Sequence, residues 1–274
     1  MSLRIRVIER LGRIIAIALV IFGVSFLLAP LVMTVYVAFL PSLLTLVPKT
    51  GYTIHWFVTL VNEQGFAQAA FVSVSIATLA TGISLLVGLL ATYAVTRFEF
   101  VGKGLLLTLS LSPLAIPAVV SGTALLFLFN LLRFYDSYMM LLLGHVIITL
   151  PYAVRSLLVG FLSIDRSIDD AAANMGANRL QVLTKLHVHL LKPGILASVI
   201  FGISMSIDDI GVSVFLVQPG TTTFSVLFLT LTRGSSTETL LSALGTMLLA
   251  FGILASILSD RIVGFDKIVR SLRF

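Results

Sequence analysis

Long apolar runs recur along this chain with almost no charge inside them, and they restrict what it can fold into more than any other feature. A helix rises 1.5 Å per residue, so about 20 mostly apolar residues cross a hydrocarbon core about 30 Å thick. Six segments meet that length: 14–40, 67–96, 104–130, 139–162, 194–217 and 238–260. Each is continuously apolar rather than alternating, the pattern of membrane helices and not of barrel strands. Composition agrees, with 58% hydrophobic and only 11% charged residues; a soluble domain carries about 25% charged. The expectation is an all-α membrane protein with six transmembrane helices in a single transmembrane domain over 1–274.

Lysine and arginine set the orientation. One side of the predicted spans holds Arg4, Arg6, Arg10, Arg13, Arg97, Lys103, Arg166, Arg179, Lys185, Lys192, Arg261, Lys267, Arg270 and Arg273; the other holds Lys49, Arg133 and Arg233. Arg155 lies inside the fourth span. That bias predicts both termini and the 163–193 loop in the cytoplasm. It also accounts for the net charge of +6 without nucleic acid. The basic start followed by Ile14–Leu28 resembles a signal peptide, but the apolar run continues past Pro30 and lacks a small-x-small site. An uncleaved first helix is expected.

The chemistry the chain can do alone is narrow. There is no cysteine, hence no thiolate nucleophile, disulfide or thiolate metal site. His187 and His189, two apart on a helix, point to opposite faces, so no metal site is expected. F-V-G-K-G at 100–104 lacks the spacing and the Ser/Thr of a phosphate-binding loop. Zinc-helix and serine-elbow motifs are absent as well. Tyr135-Asp136 and Asp208-Asp209 suggest a paired-Asp intramembrane protease only faintly, since the second lacks the Gly-x-Gly-Asp form and Asp136 falls at a span end. No catalytic residue is expected; an ATP-independent channel is the other rival.

One loop departs from the oil. In D-D-A-A-A-N-M-G-A (169–177) the Ala run favours a helix, Asp169 and Asp170 suit its N-terminus, and Gly176 can end it with positive φ. Leu180, Leu183, Leu186 and Leu190 then suit one face of a second helix. Lys192 and Pro193 suit its end and the entry to the next span. Periodicity leaves two readings open: a docking element, or an interfacial helix that only covers the membrane surface.

The residues carry a resemblance. D-A-A-x-x-x-G-A followed by L-L-K-P-G-I resembles the cytoplasmic EAA loop of ABC importer permeases. Asp170 stands in the Glu place, and Gly176, Ala177, Pro193 and Gly194 match directly, while His189 replaces a proline. The resemblance implies a type I (MetI-like) permease in the bacterial inner membrane. It also implies partners: a homologous second permease, two cytoplasmic ATPase subunits that bind the ATP and Mg, and an extracytoplasmic substrate-binding protein. Asp170, Ala171, Ala172, Gly176 and Ala177 would couple to the ATPase. S-I-D-D-I-G-V-S (206–213), Trp56 in I-H-W-F and L-S-P-L-A-I-P (111–117) resemble the second permease subunit of spermidine/putrescine importers. Leu114 stands where polyamine permeases can carry an acid. Related permeases serve aminoethylphosphonate, ferric iron or thiamine.

Asp208 and Asp209 fall about 14 residues into the fifth span, roughly 21 Å deep. A central charge costs about 2.5–3.5 kcal/mol on insertion scales, so the pair needs water, a partner or a counter-charge. Two readings stand: a carboxylate that draws a cation through the pathway, or a cap that fixes a kink. Ser206 and Trp56 join the pathway candidates, Trp56 as a cation-stacking ring or an interfacial anchor. Pro113 and Pro117 should kink or unwind the third span. His145 either lines the path or bonds between helices.

Overall fold

The computed structural model describes residues 2–42, 51–234 and 238–263. Lys49, Lys267, Arg270 and Arg273 lie outside them. The described residues are helical and include no strand. In chain order the helices are α1 (Ser2–Ala38), α2 (His55–Val61), α3 (Phe66–Arg97), α4 (Lys103–Leu111), α5 (Ala118–Leu131) and α6 (Ser137–Leu162). They continue as α7 (Arg166–Asn174), α8 (Arg179–Leu190), α9 (Lys192–Asp208), α10 (Ser213–Leu216), α11 (Phe224–Arg233) and α12 (Glu238–Val263).

Among the described residues, three helices are long and apolar enough to cross a membrane: Gly12–Ala38, Phe66–Arg97 and Ser137–Leu162. Two bent pairs raise the number to five, the chain turning 111° between Lys103–Ala115 and Ala118–Leu131 and 74° between Arg179–Leu190 and Lys192–Asp208. The continuous helix expected at 104–130 is therefore interrupted; the one expected at 194–217 is interrupted separately, beyond the 74° bend. In the first, Pro113 lies in a 3₁₀ turn (Ser112–Ala115) and Pro117 flanks α5, as the missing N–H groups require. In the second, α9 stops at Asp208 and Asp209 is extended, with φ −69° and ψ 120°.

The chain divides into two units. The first comprises residues 1–63 and 231–250. There Thr53 N donates to Phe39 O at 2.9 Å, and the Phe39 and Phe57 rings lie 5.1 Å apart.

The second unit comprises residues 64–230 and 251–274. Its centre is α3, α6 and α9, packed on one another through small residues. A Cβ on Gly88 would sit 3.1 Å from Ala153 Cβ, and one on Gly202 would sit 2.7 Å from Thr81 Cγ2. Such close backbones are how membrane helices gain dispersion contact, since lipid removes most of the hydrophobic drive between them. Ser84 ties α3 to α6, its hydroxyl 3.0 Å from Val146 O and 2.7 Å from Thr149 Oγ1. Thr92 and Thr96 bond back to carbonyls four residues earlier, at 2.7 Å each, so buried hydroxyls are satisfied within their own helix.

Candidate functional site

A cleft of about 390 Å³ opens where the two helix breaks of the second unit meet. Pro113, Leu114 and Ile116 wall one side, Asp208, Asp209 and Gly211 another, and Ile148 and Tyr152 of α6 a third. The two breaks touch. A Cβ on Gly211 would lie 2.5 Å from Ala118 Cβ, and one on Gly122 would lie 2.7 Å from Gly211 O. Only glycine permits that approach.

The two aspartates differ in their bonding. Asp209 Oδ2 accepts from Val212 N at 3.1 Å, Ser213 N at 2.8 Å and Ser213 Oγ at 3.0 Å. It thereby caps α10, the device that satisfies orphan N–H groups at a helix start. Its main-chain carbonyl accepts from Ser225 Oγ at 2.5 Å. Asp208 is exposed, lines the cleft, and has no hydrogen bond or ion pair among the described residues.

His145 staples the break from α6. It is 1% exposed, with Nδ1 2.7 Å from Ser206 Oγ and Nε2 3.0 Å from Ser213 Oγ. Ser213 Oγ gives its proton to Asp209, so it accepts from His145 Nε2–H, and Nδ1 accepts from Ser206. Every polar atom of the chain Asp209–Ser213–His145–Ser206 is thus used. Ser206 is buried in this bracket and is not among the residues that line the cleft. Tyr152, stacked 6.3 Å from Phe201, lines the cleft and was not singled out from the sequence. Trp56 belongs to the first unit, where its indole Nε1–H donates to Leu40 O at 2.8 Å. Asp136 caps α6, accepting from Met139 N at 3.0 Å.

The loop forms the expected helix–turn–helix, with changes. Asp165, not the Asp169-Asp170 pair, caps α7 by accepting from Ser167 N at 2.8 Å, and these hydrogen bonds hold its carboxyl below the ordinary range. Gly176 has φ +86°. Gly176 N bonds Ala173 O at 2.9 Å and Ala177 N bonds Ala172 O at 3.0 Å, closing α7 in a Schellman turn. Asn178 and Gln181 then exchange reciprocal bonds of 2.9 Å as a capping box. Asp170, Ala171 and Gly176 are exposed at this turn, with Ala172 and Ala177 half-buried beside it.

The face of α8 differs from the Leu180, Leu183, Leu186, Leu190 stripe. Leu180 and Leu190 are exposed, and the buried residues are Val182, Leu183, His187 and then Leu191. Val182–His187 is a π-helical stretch, whose wider turn advances the buried face to positions four apart. His189, two residues on, is exposed.

Residues 84–265 match the family described as binding-protein-dependent transport system inner membrane component. The putrescine transport system permease protein PotI of Escherichia coli K12 is 29% identical over 250 residues, 88% of each chain. The spermidine/putrescine transport system permease protein PotC of the same strain is 28% identical over 222 residues, 79% of this chain and 81% of that one. The ferric transport system permease protein FbpB of Actinobacillus pleuropneumoniae is 26% identical, over 81% of this chain but 34% of its own. In fold, the chain is similar to one in the crystal structure of a bacterial ABC transporter that imports the acidic polysaccharide alginate. The TM-score is 0.71 at 17% identity, covering 92% of this chain and 96% of that one. Together with the helix–turn–helix loop and the cleft between two broken helices, the match over 84–265 places this chain in the family of binding-protein-dependent inner-membrane transport components, the permease subunits of ABC importers.

Proposed function

We propose that this chain forms half of a transmembrane pathway for a small cationic solute of the spermidine/putrescine class. The carrying observation is Asp208: a carboxylate in an apolar chain, exposed to the cleft and unused by the fold. The similarity to PotI and PotC supports the same class. An unpaired carboxylate on that wall attracts a cation, and Tyr152 offers it an aromatic face. The pathway role is thus assigned to Asp208 and a scaffold role to Asp209 and Ser206. Trp56 is read as an anchor, its N–H already committed to Leu40.

The working unit in this reading has six spans: α1, α3, α4 with α5, α6, α9 with α10, and α12. Both termini are cytoplasmic. A homologous second permease completes the pathway. Two cytoplasmic ATPase subunits bind and hydrolyse ATP, and each receives one loop built like Asp170, Ala171, Ala172, Gly176 and Ala177. A substrate-binding protein delivers solute to the outer face. ATP binding moves the loop as a lever, and the helices alternate between inward-facing and outward-facing states.

The decisive measurement is ATP-driven uptake by the full complex in proteoliposomes, comparing spermidine and putrescine with aminoethylphosphonate. Asp208→Asn is expected to cut polyamine uptake about tenfold or more, equivalent to about 1.4 kcal/mol. Uptake of the phosphonate instead, or indifference to Asp208→Asn, sinks the cationic pathway. Gly176→Val forces a β-branched residue to positive φ at a cost of about 1–2 kcal/mol. It should leave ATP hydrolysis running while uptake falls; normal coupled uptake counts against the lever.

A further inference from the structure

Helix α7 buries no residue, so apolar packing does not hold it to the membrane helices. Its attachment is polar, and one carboxylate dominates it. Asp169 Oδ2 lies 2.6 Å from Arg97 Nε, at the end of α3, and Oδ1 lies 2.9 Å from His187 Nε2, in the π stretch of α8. The Arg97 and His187 side chains are 8% and 0% exposed, and Asp169 is 22% exposed. Arg97 also donates to Ile164 O at 3.1 Å and covers the Phe161 ring at 5.8 Å. The other links belong to Arg166, whose side chain is 61% exposed: to Thr96 O at 2.8 Å and to Glu99 at 3.7 Å. Exposed pairs contribute little, whereas removing one member of a buried pair strands a charge.

We propose that Arg97, Asp169 and His187 form the joint through which the loop moves α3, with Asp169 as the positioning residue that holds both partners. This rests on reading the loop as the ATPase contact. Asp169 lies at ion-pair distance from both partners, and among the described residues neither His187 ring nitrogen has a hydrogen-bond partner. The groups facing the ring are Asp169, Arg97 and the rings of Tyr93 and Phe161. Burial holds the imidazole below its ordinary range, against the pull of Asp169. A lowered histidine is neutral in the docked loop and protonates more readily once released. Docking is therefore at full strength above about pH 6.5 and weakens as pH falls below it.

The test uses the reconstituted complex with its binding protein, scoring solute imported per ATP hydrolysed. Asp169→Asn should lower that ratio about tenfold while ATP hydrolysis stays within about twofold. An unchanged ratio, or uptake and hydrolysis lost in parallel, overturns the joint. His187→Gln removes the titration. Its ratio should stay flat with pH where the parent ratio falls, below about pH 6.5. Parallel pH profiles overturn the proposal, even if Asp169→Asn does not assemble. Loss of ATP-driven uptake by the parent complex would instead remove the permease reading itself.

Discussion

The breaks at Pro113–Pro117 and at Asp208–Asp209 line the same cleft but arise from opposite causes. In the first, two prolines remove N–H donors and the chain turns through 111°. In the second, no residue forbids a helix. Asp209 leaves the helix because its carboxylate finds Val212 N, Ser213 N and Ser213 Oγ, and because His145 brackets the gap from α6. A proline break comes from an absent donor and holds in any surroundings. A carboxylate break depends on acceptors being met, so it needs its neighbours. The first builds an apolar wall; the second places a charge.

The largest expected effect comes from forcing the breaks apart. Gly211→Val puts side-chain atoms where Ala118 Cβ would be 2.5 Å from the first added carbon. Overpacking at this junction should cost about 3 kcal/mol or more, and assembled transporter should vanish from the membrane fraction. Gly211→Ala with Ala118→Gly should recover part of it. Full-yield Gly211→Val would mean that the two breaks do not support each other.

Next comes the division between the aspartates. Asp209→Ala removes a cap and strands Ser213 N–H, so thermal stability should drop by about 2–3 kcal/mol. Asp208→Ala should leave stability within about 0.5 kcal/mol while uptake falls. Reversed results would exchange the two roles.

The smallest effect is expected at the proline break. Pro117 precedes α5 with φ −55° and ψ 134°, which alanine also adopts. Pro117→Ala should change stability by under about 1 kcal/mol, mainly through the unfolded chain. Because the native chain has no cysteine, a Ser121→Cys reporter on the cleft wall can follow the bend by thiol labelling. Unchanged labelling shows that packing at Gly122 and Gly211 holds the bend; lost labelling assigns it to the proline alone.

Much of the loop was legible because its rules are local. Gly176 ends α7 at positive φ whatever surrounds it, and Pro193 opens α9 as read from its place before an apolar run. The four-residue slip in the start of α7 has a local cause too: Asp165 after the apolar run is a cap signal that the Asp169-Asp170 pair overshadowed. The π stretch in α8 had no such signal, since the Leu180–Leu190 spacing suits an ordinary helix. Burying His187 beside Asp169 and Arg97 pulls the register round. No spacing ties positions 97, 169 and 187 in a sequence.

By itself the sequence determined the solvent, the helical class, the proline break and the folded loop. Each follows from a property a residue carries anywhere: hydropathy, a missing N–H, tolerance of positive φ. Tertiary structure alone decided which aspartate is a cap and which is free, that Ser206 and His145 form a bracket, and that Asp169 joins three elements. The His145 bracket and the Arg97–Asp169 contact join positions 61 to 72 apart in the chain, and only packed helices bring those atoms within about 3 Å.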